Sequence, residues 1–151
     1  MATLRLTQVI DRPPGDVFAA IVDLGSFPRW NPTTTSARKL SPGPIGDGTR
    51  FELRITGFGT TIQELRDVER DRRVTLVPHI RTLEGGHTFV LTPEDGRTRV
   101  DHELVMIPKG PMRLMGPLIG LLGRRNLART AAALEAWVER GATGPGAPRA
   151  R

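Results

Sequence analysis

The sequence predicts a single α+β domain, in which one strand and two short helices precede an antiparallel meander and a long amphipathic helix closes the chain. Three observations carry this. Between Arg50 and Ile107, segments that alternate apolar and polar residues follow one another with only turn chemistry between them. From Leu118 to Arg140 no proline interrupts a helical apolar pattern. A length of 151 residues suits one domain with one substantial core.

The elements follow in order. Residues 2–10 place Leu4 and Leu6 on one side and read as a strand. Asp11-Arg12-Pro13-Pro14 stops it, and proline suits the first turn of the helix that follows because it has no N–H to leave unpaired. Asp16 favours the positive end of that helix, and Val17, Phe18, Ile21 and Val22 form its apolar face over residues 14–23. Ser26 to Asn31 makes one more helical turn, which Pro32 ends by forcing extension. A weak, polar strand is expected at 33–40, and glycine- and proline-rich loop chemistry at 41–48.

Phe51, Leu53 and Ile55 alternate with Arg50, Glu52 and Arg54, the clearest strand in the chain. Further strands are expected at 60–69, 73–80, 87–92 and 97–107. The last two are joined by Glu94-Asp95-Gly96, an Asp-Gly hairpin signal. In the helix at 118–140, Leu127, Thr130, Ala131, Leu134, Trp137 and Val138 share one face. The domain is expected to span 1–140, with a disordered tail at 141–151.

Composition bounds the chemistry. Cysteine is absent, which excludes disulfides and a cysteine nucleophile. The N-terminal residues lack the apolar core of a secretory signal, and no apolar run reaches the ~20 residues of a membrane span. A soluble, cytoplasmic protein without stable membrane insertion is the expectation. The net charge of +6 comes from basic and acidic residues that are mostly interleaved, so a compositional bias explains it better than a nucleic-acid face, and no nucleic-acid partner is expected. There is no glycine-rich phosphate loop, no G-x-S-x-G elbow and no H-E-x-x-H pair.

Three segments carry a resemblance to a known family. They are Ile10 to Phe18 at the strand-to-helix entry, Asp23 to Pro32 with its proline-x-tryptophan turn at Pro28-Arg29-Trp30, and the hairpin ending at Val100 with the broken apolar stretch and long helix after it. In order and spacing they resemble the polyketide cyclase/dehydrase branch of the START-like (SRPBCC) superfamily, from about residue 3 to residue 139. The resemblance implies a helix-grip fold, a curved antiparallel sheet wrapped around the C-terminal helix with a cavity between them. The superfamily hosts binders, transporters and enzymes, so the likeness fixes a fold before it fixes a function.

Within that fold the cavity lining is expected from Phe51, Leu53 and Ile55, from Phe89 and Leu91, and from Val100, Leu104 and Met106. Leu127, Ala131 and Leu134 form the opposite wall, with Ala128, Ala132 and Ala133 leaving room, and Trp30 anchors the short-helix turn near the mouth. Residues 110–123, rich in leucine, methionine, glycine and proline, suit a lid, a core-covering loop or a membrane contact.

With Asp95-Gly96 as a two-residue turn, His87 lies opposite Leu104 and Phe89 opposite His102. The two imidazoles are then diagonal neighbours on the apolar face, placed to hold a polar ligand end or to act as acid and base. Hydrogen-bonded core histidines are the plainer alternative. Periodicity leaves the strand at 60–69 open: either Ile62, Glu64, Arg66 and Val68 face inward, or Gln63, Leu65 and Asp67 do, and a bulge can switch the face. Two diagonal histidines need a third ligand to hold a metal, which Glu64 supplies only if its strand turns it inward, and neither metal nor cofactor is expected.

These readings lead to a module that binds a small hydrophobic molecule, such as a lipid, polyketide or isoprenoid-like compound. A polyketide-type cyclase or dehydratase using His87 and His102 is the second reading, without a transferable catalytic set. A ligand-tuned interaction or stress-response domain is the third. Oligomeric state is left open.

Overall fold

The computed structural model describes residues 2–141, so the tail expected at 141–151 falls outside the described residues beyond Gly141. Seven strands form one antiparallel sheet: β1 (Ala2–Ile10), β2 (Thr34–Lys39), β3 (Arg50–Ile55), β4 (Gly59–Glu69), β5 (Arg73–His79), β6 (Leu83–Glu94) and β7 (Arg97–Pro108). Their order across the sheet is β1-β7-β6-β5-β4-β3-β2. Strands β2 to β7 are a meander, while β1 crosses from the opposite edge to pair with β7.

The crossover from β1 to β2 carries α1 (Pro14–Val22), a 3-10 turn (Leu24–Ser26) and α2 (Phe27–Trp30). Helix α1 begins where the proline pair predicts, with Pro14 in its first turn, Asp16 beside it, and Val17, Phe18, Ala20, Ile21 and Val22 buried. A second 3-10 segment (Gly110–Met115) leads into α3 (Gly116–Glu139), which rests on β1, β7 and α1.

Two departures from the expected elements have local causes. Strand β6 begins at Leu83 rather than at residue 87 because Gly85 and Gly86 are inside the ladder with β7. Helix α3 begins at Gly116, before Pro117, because proline in a first turn starts a helix rather than breaking one. Residues 110–123 are therefore helical throughout, and the expected loop there is absent.

Gly85 and Gly86 also show how closely the strands approach. Gly85 has φ +123°, and a Cβ there would lie 1.9 Å from the Val105 carbonyl oxygen. A Cβ on Gly86 would lie 2.6 Å from the Leu76 carbonyl oxygen. Only glycine permits this bend in β6. Just beyond it the β5–β6 ladder has ended: it pairs only Arg73 to Leu76 with Val90 to His87.

The buried side chains divide into two clusters. The larger joins α1, α2 and the far end of α3 to β3 through β7, with Phe51, Leu65, Val74, Phe89, Leu134 and Val138 among its members. The smaller holds Leu4, Leu83, Leu104, Met106 and Leu127 under the first half of α3. Gly123 seats that half of the helix on Leu4 and Met106, whose side-chain ends would lie 3.1 Å and 2.5 Å from a Cβ at this position.

Candidate functional site

The β6–β7 hairpin turns at Asp95 and Gly96, both at positive φ, as a two-residue turn matched to strand twist requires. That turn fixes the register of the ladder. Glu94 pairs with Arg97, Phe89 with His102, and His87 with Leu104. The sheet continues the face on both sides: Leu76 lies opposite His87 and Val74 opposite Phe89, while Leu6 lies opposite His102 and Leu4 opposite Leu104.

The two imidazoles meet. His87 Nδ1 and His102 Nε2 are 2.8 Å apart and share one hydrogen bond, so one ring donates and the other accepts. Phe89 stacks on His102 with ring centroids 4.0 Å apart. Phe89 and Leu76 belong to the larger apolar cluster, whereas Leu104 belongs to the smaller one. The histidine pair thus occupies the seam between two apolar regions. Burial pulls the His87 imidazole down to about 4. It pulls His102 down further, with the charge of a protonated His87 adding to the effect. With both imidazoles lowered by burial, the rings are neutral at neutral pH, a state in which one N–H can donate to the other ring's bare nitrogen.

The remaining expected lining residues take several places. Phe51, Leu53, Leu104, Met106, Leu127, Ala131 and Leu134 are buried, and Trp30 is half-buried. Phe51, Leu53 and Trp30 pack at the β3 end of the larger cluster, with β4 and β5 between β3 and the histidine-bearing strand. Ala128 and Ala132 are exposed on the outer side of α3 and form no wall, because the helical period that buries Leu127, Ala131 and Leu134 turns them outward. A depression of about 390 Å³ lies under the start of α3, lined by Ala2, Pro108, Pro117, Ile119 and two glycines. Another, of about 310 Å³, lies along β1, β7 and β6 and includes Arg5, Arg73 and Asp101. Of the expected ligand-contacting residues the second includes His102, and neither is lined by Phe51, Leu53, Phe89 or Leu134.

Strand β4 resolves its ambiguity. Gln63 pairs with Phe51 and Thr61 with Leu53, so Thr61, Gln63 and Leu65 face inward and are buried. The register shifts between Arg66 and Glu69, with Asp67 at φ +51°, and this bulge lets Val68 turn back to the core. Glu64 therefore lies on the outer face. Its carboxylate accepts from Arg50 Nε at 2.8 Å and from Arg66, with His79 Nε2 at 3.9 Å. The Arg50 hydrogen bond is the main reason its carboxyl sits below the usual range. The arginine side chains cover it, which explains its low accessibility at the surface of the sheet.

Of the inward polar residues, Gln63 belongs to one of the two faces the periodicity left open, and Thr61 is absent from the expected lining. The alternation that buries Phe51 and Leu53 carries them inward across the β3–β4 turn, a signal masked by the charged residues beside them. Thr61 Oγ1, Trp30 Nε1 and Trp137 Nε1 are buried without a hydrogen-bond partner among the described residues. No group of three metal-binding side chains occurs among the described residues.

A sequence profile described as polyketide cyclase/dehydrase and lipid transport matches residues 1–139. The chain belongs to this family. Solved structures agree on the fold. A START superfamily protein from Mycobacterium smegmatis superposes with a TM-score of 0.77 at 18% identity, covering 91% of this chain and 97% of its own. TTHA0849 from Thermus thermophilus gives 0.76 at 21% identity with the same coverage. The Zhui aromatase/cyclase from a Streptomyces species gives 0.73 at 15% identity over 97% of this chain and 99% of its own. No curated relative matches the chain in sequence. The helix-grip architecture of the polyketide cyclase/dehydrase and lipid transport family is thus present, with the histidine pair on the sheet face that α3 covers.

Proposed function

We propose that this protein binds a small hydrophobic molecule between the sheet and α3, with the His87–His102 pair as the polar anchor. The observation that carries this reading is the position of the pair. It is a neutral, hydrogen-bonded polar group at the seam of two apolar clusters, where a ligand end has both apolar surface and a donor or acceptor to meet. His87 is half-buried, so part of its surface stays accessible to a ligand end. Family membership supports a ligand-binding fold.

The enzymatic alternative, a cyclase or dehydratase working through these histidines, finds less support. An imidazole pulled down to about 4 is a weak base at neutral pH, whereas a general base works best near the operating pH. The neutral pair remains well suited to hydrogen bonding.

Native mass spectrometry after incubation with a lipophilic cell extract tests the reading. A reproducible added mass is expected, reduced when His87 and His102 are both replaced by alanine. No added mass across varied extracts, or an added mass indifferent to the double replacement, overturns the assignment. An added mass that converts with time transfers the assignment to catalysis.

A further inference from the structure

We propose that the outward face of the first turns of α3, with the 3-10 segment before it, docks on an anionic lipid surface. Five large apolar side chains are exposed within nine residues here: Leu114 at 89%, Leu121 at 67%, Leu122 at 50%, Met115 at 47% and Leu118 at 45%. Single exposed leucines are ordinary, but a contiguous group marks a contact surface. The group is not a by-product of core packing. Gly123, Leu127 and Ala131 face the sheet, and the spacing of Leu118, Leu121 and Leu122 puts them on the opposite side of the helix.

Charge selects the occupant. From Leu104 to Leu134 the chain carries Lys109, Arg113, Arg124, Arg125 and Arg129 and no acidic residue. Elsewhere it is nearly balanced, with 17 basic and 16 acidic residues, so this stretch holds most of the excess positive charge. Arg125 and Arg129 continue the leucine face at the same helical spacing, and Arg113 and Arg124 flank it, all exposed. An apolar ridge bordered by arginines matches the boundary between acyl chains and anionic headgroups. A second copy of the chain would set arginines against arginines. The helix is not apolar enough to span a bilayer, so contact is with one leaflet. The apolar depression under Gly116 to Gly120 lies directly behind the ridge.

Cosedimentation of the ligand-free protein with vesicles tests this independently of any ligand in the interior. Vesicles of phosphatidylcholine with an equal share of phosphatidylglycerol are expected to bind the protein, and pure phosphatidylcholine vesicles far less. Added salt weakens the binding. Arg113→Gln, Arg124→Gln and Arg125→Gln together lower partitioning on the order of a hundredfold, since each arginine near such a surface is worth about a factor of five. Leu118→Ser with Leu121→Ser lowers it as well, and both variants melt like the parent because these side chains are exposed. If the leucine variant fails to fold, the arginine variant carries the test alone. Absence of binding to the anionic vesicles, or equal binding by parent and arginine variant, overturns the proposal. A dimer in sedimentation equilibrium that the leucine replacements dissociate overturns it too, by assigning the ridge to a second copy.

Discussion

His102 is held from two sides, by the Phe89 ring stacked at 4.0 Å and by the hydrogen bond to His87 at 2.8 Å. Removing one member of such a pair leaves the other buried without its partner, which costs more than the hydrogen bond itself contributes. His102→Phe is therefore expected to destabilise the fold by about 1–3 kcal/mol, and His87→Leu with His102→Phe by less than the two single changes added together. Urea unfolding of the four proteins of this cycle measures the coupling, and strict additivity would show that the bond is not made in solution. Glu64 presents the opposite case. It has three basic neighbours, but Arg50, Arg66 and His79 are all substantially exposed. Glu64→Gln is expected to cost no more than about 1 kcal/mol, as surface ion pairs do. Because its carboxyl is lowered in the folded state, that contribution is present above the usual carboxylate range and lost as pH falls through it.

The hairpin at Asp95-Gly96 was the most legible element, because a two-residue turn leaves one register, and that register alone brings His87 and His102 together. Strand β4 was illegible for a physical reason. Its bulge at Asp67 reverses the inward face within one strand, and Glu64 is covered by arginines rather than by core, so neither alternation nor burial follows a single period. The apolar stretch at 110–123 was legible as a lid, a core cover or a membrane contact, but not which of these, because an apolar residue in a helical pattern reads the same whichever side it faces. The start of β6 was hidden by Gly85 and Gly86, which mark a bend and not an end. Gly86→Ala sets a Cβ against a backbone oxygen that no side-chain rotation can move, and is expected to cost about 1–3 kcal/mol or more. Gly123→Ala meets mainly the flexible end of Met106 and is expected to cost less. Thermal melts of the two variants compare these sites directly, and a reversed order would show that β6 is not bent as tightly as described.

For the molecule as a whole, the histidine pair ties stability to pH. In the unfolded chain both imidazoles titrate near the ordinary 6.5, and in the fold both are lower. Above that pH neither state takes up protons, so the pair's contribution is fully present. As pH falls below 6.5 the unfolded chain is protonated first and stability declines; the His87 part of the loss ends where His87 itself titrates at about 4, and the His102 part continues below that. For one such imidazole the loss across this window is on the order of 3 kcal/mol. Denaturation midpoints measured from neutral pH down to about pH 5, above most carboxylate titration, are expected to fall steeply for the parent. They should fall much less for His87→Leu with His102→Phe. Parallel curves for the two proteins would show that the imidazoles are not held neutral.

The short ladder between β5 and β6 has a kinetic consequence. Past Leu76 and His87 the two strands meet again only at the Ile80–Leu83 bridge, so Val77 to His79 hang from β4 alone and Glu84 to Gly86 from β7 alone. Amide protons on the two facing edges have no ladder partner across the gap, and native-state hydrogen exchange should find them among the fastest in the sheet. Widening of this gap, between the Leu76–His87 pair and the Ile80–Leu83 bridge, breaks no ladder and lies immediately beside His87. The interior would then be reached by a fluctuation of a few residues, with the rest of the protein still folded.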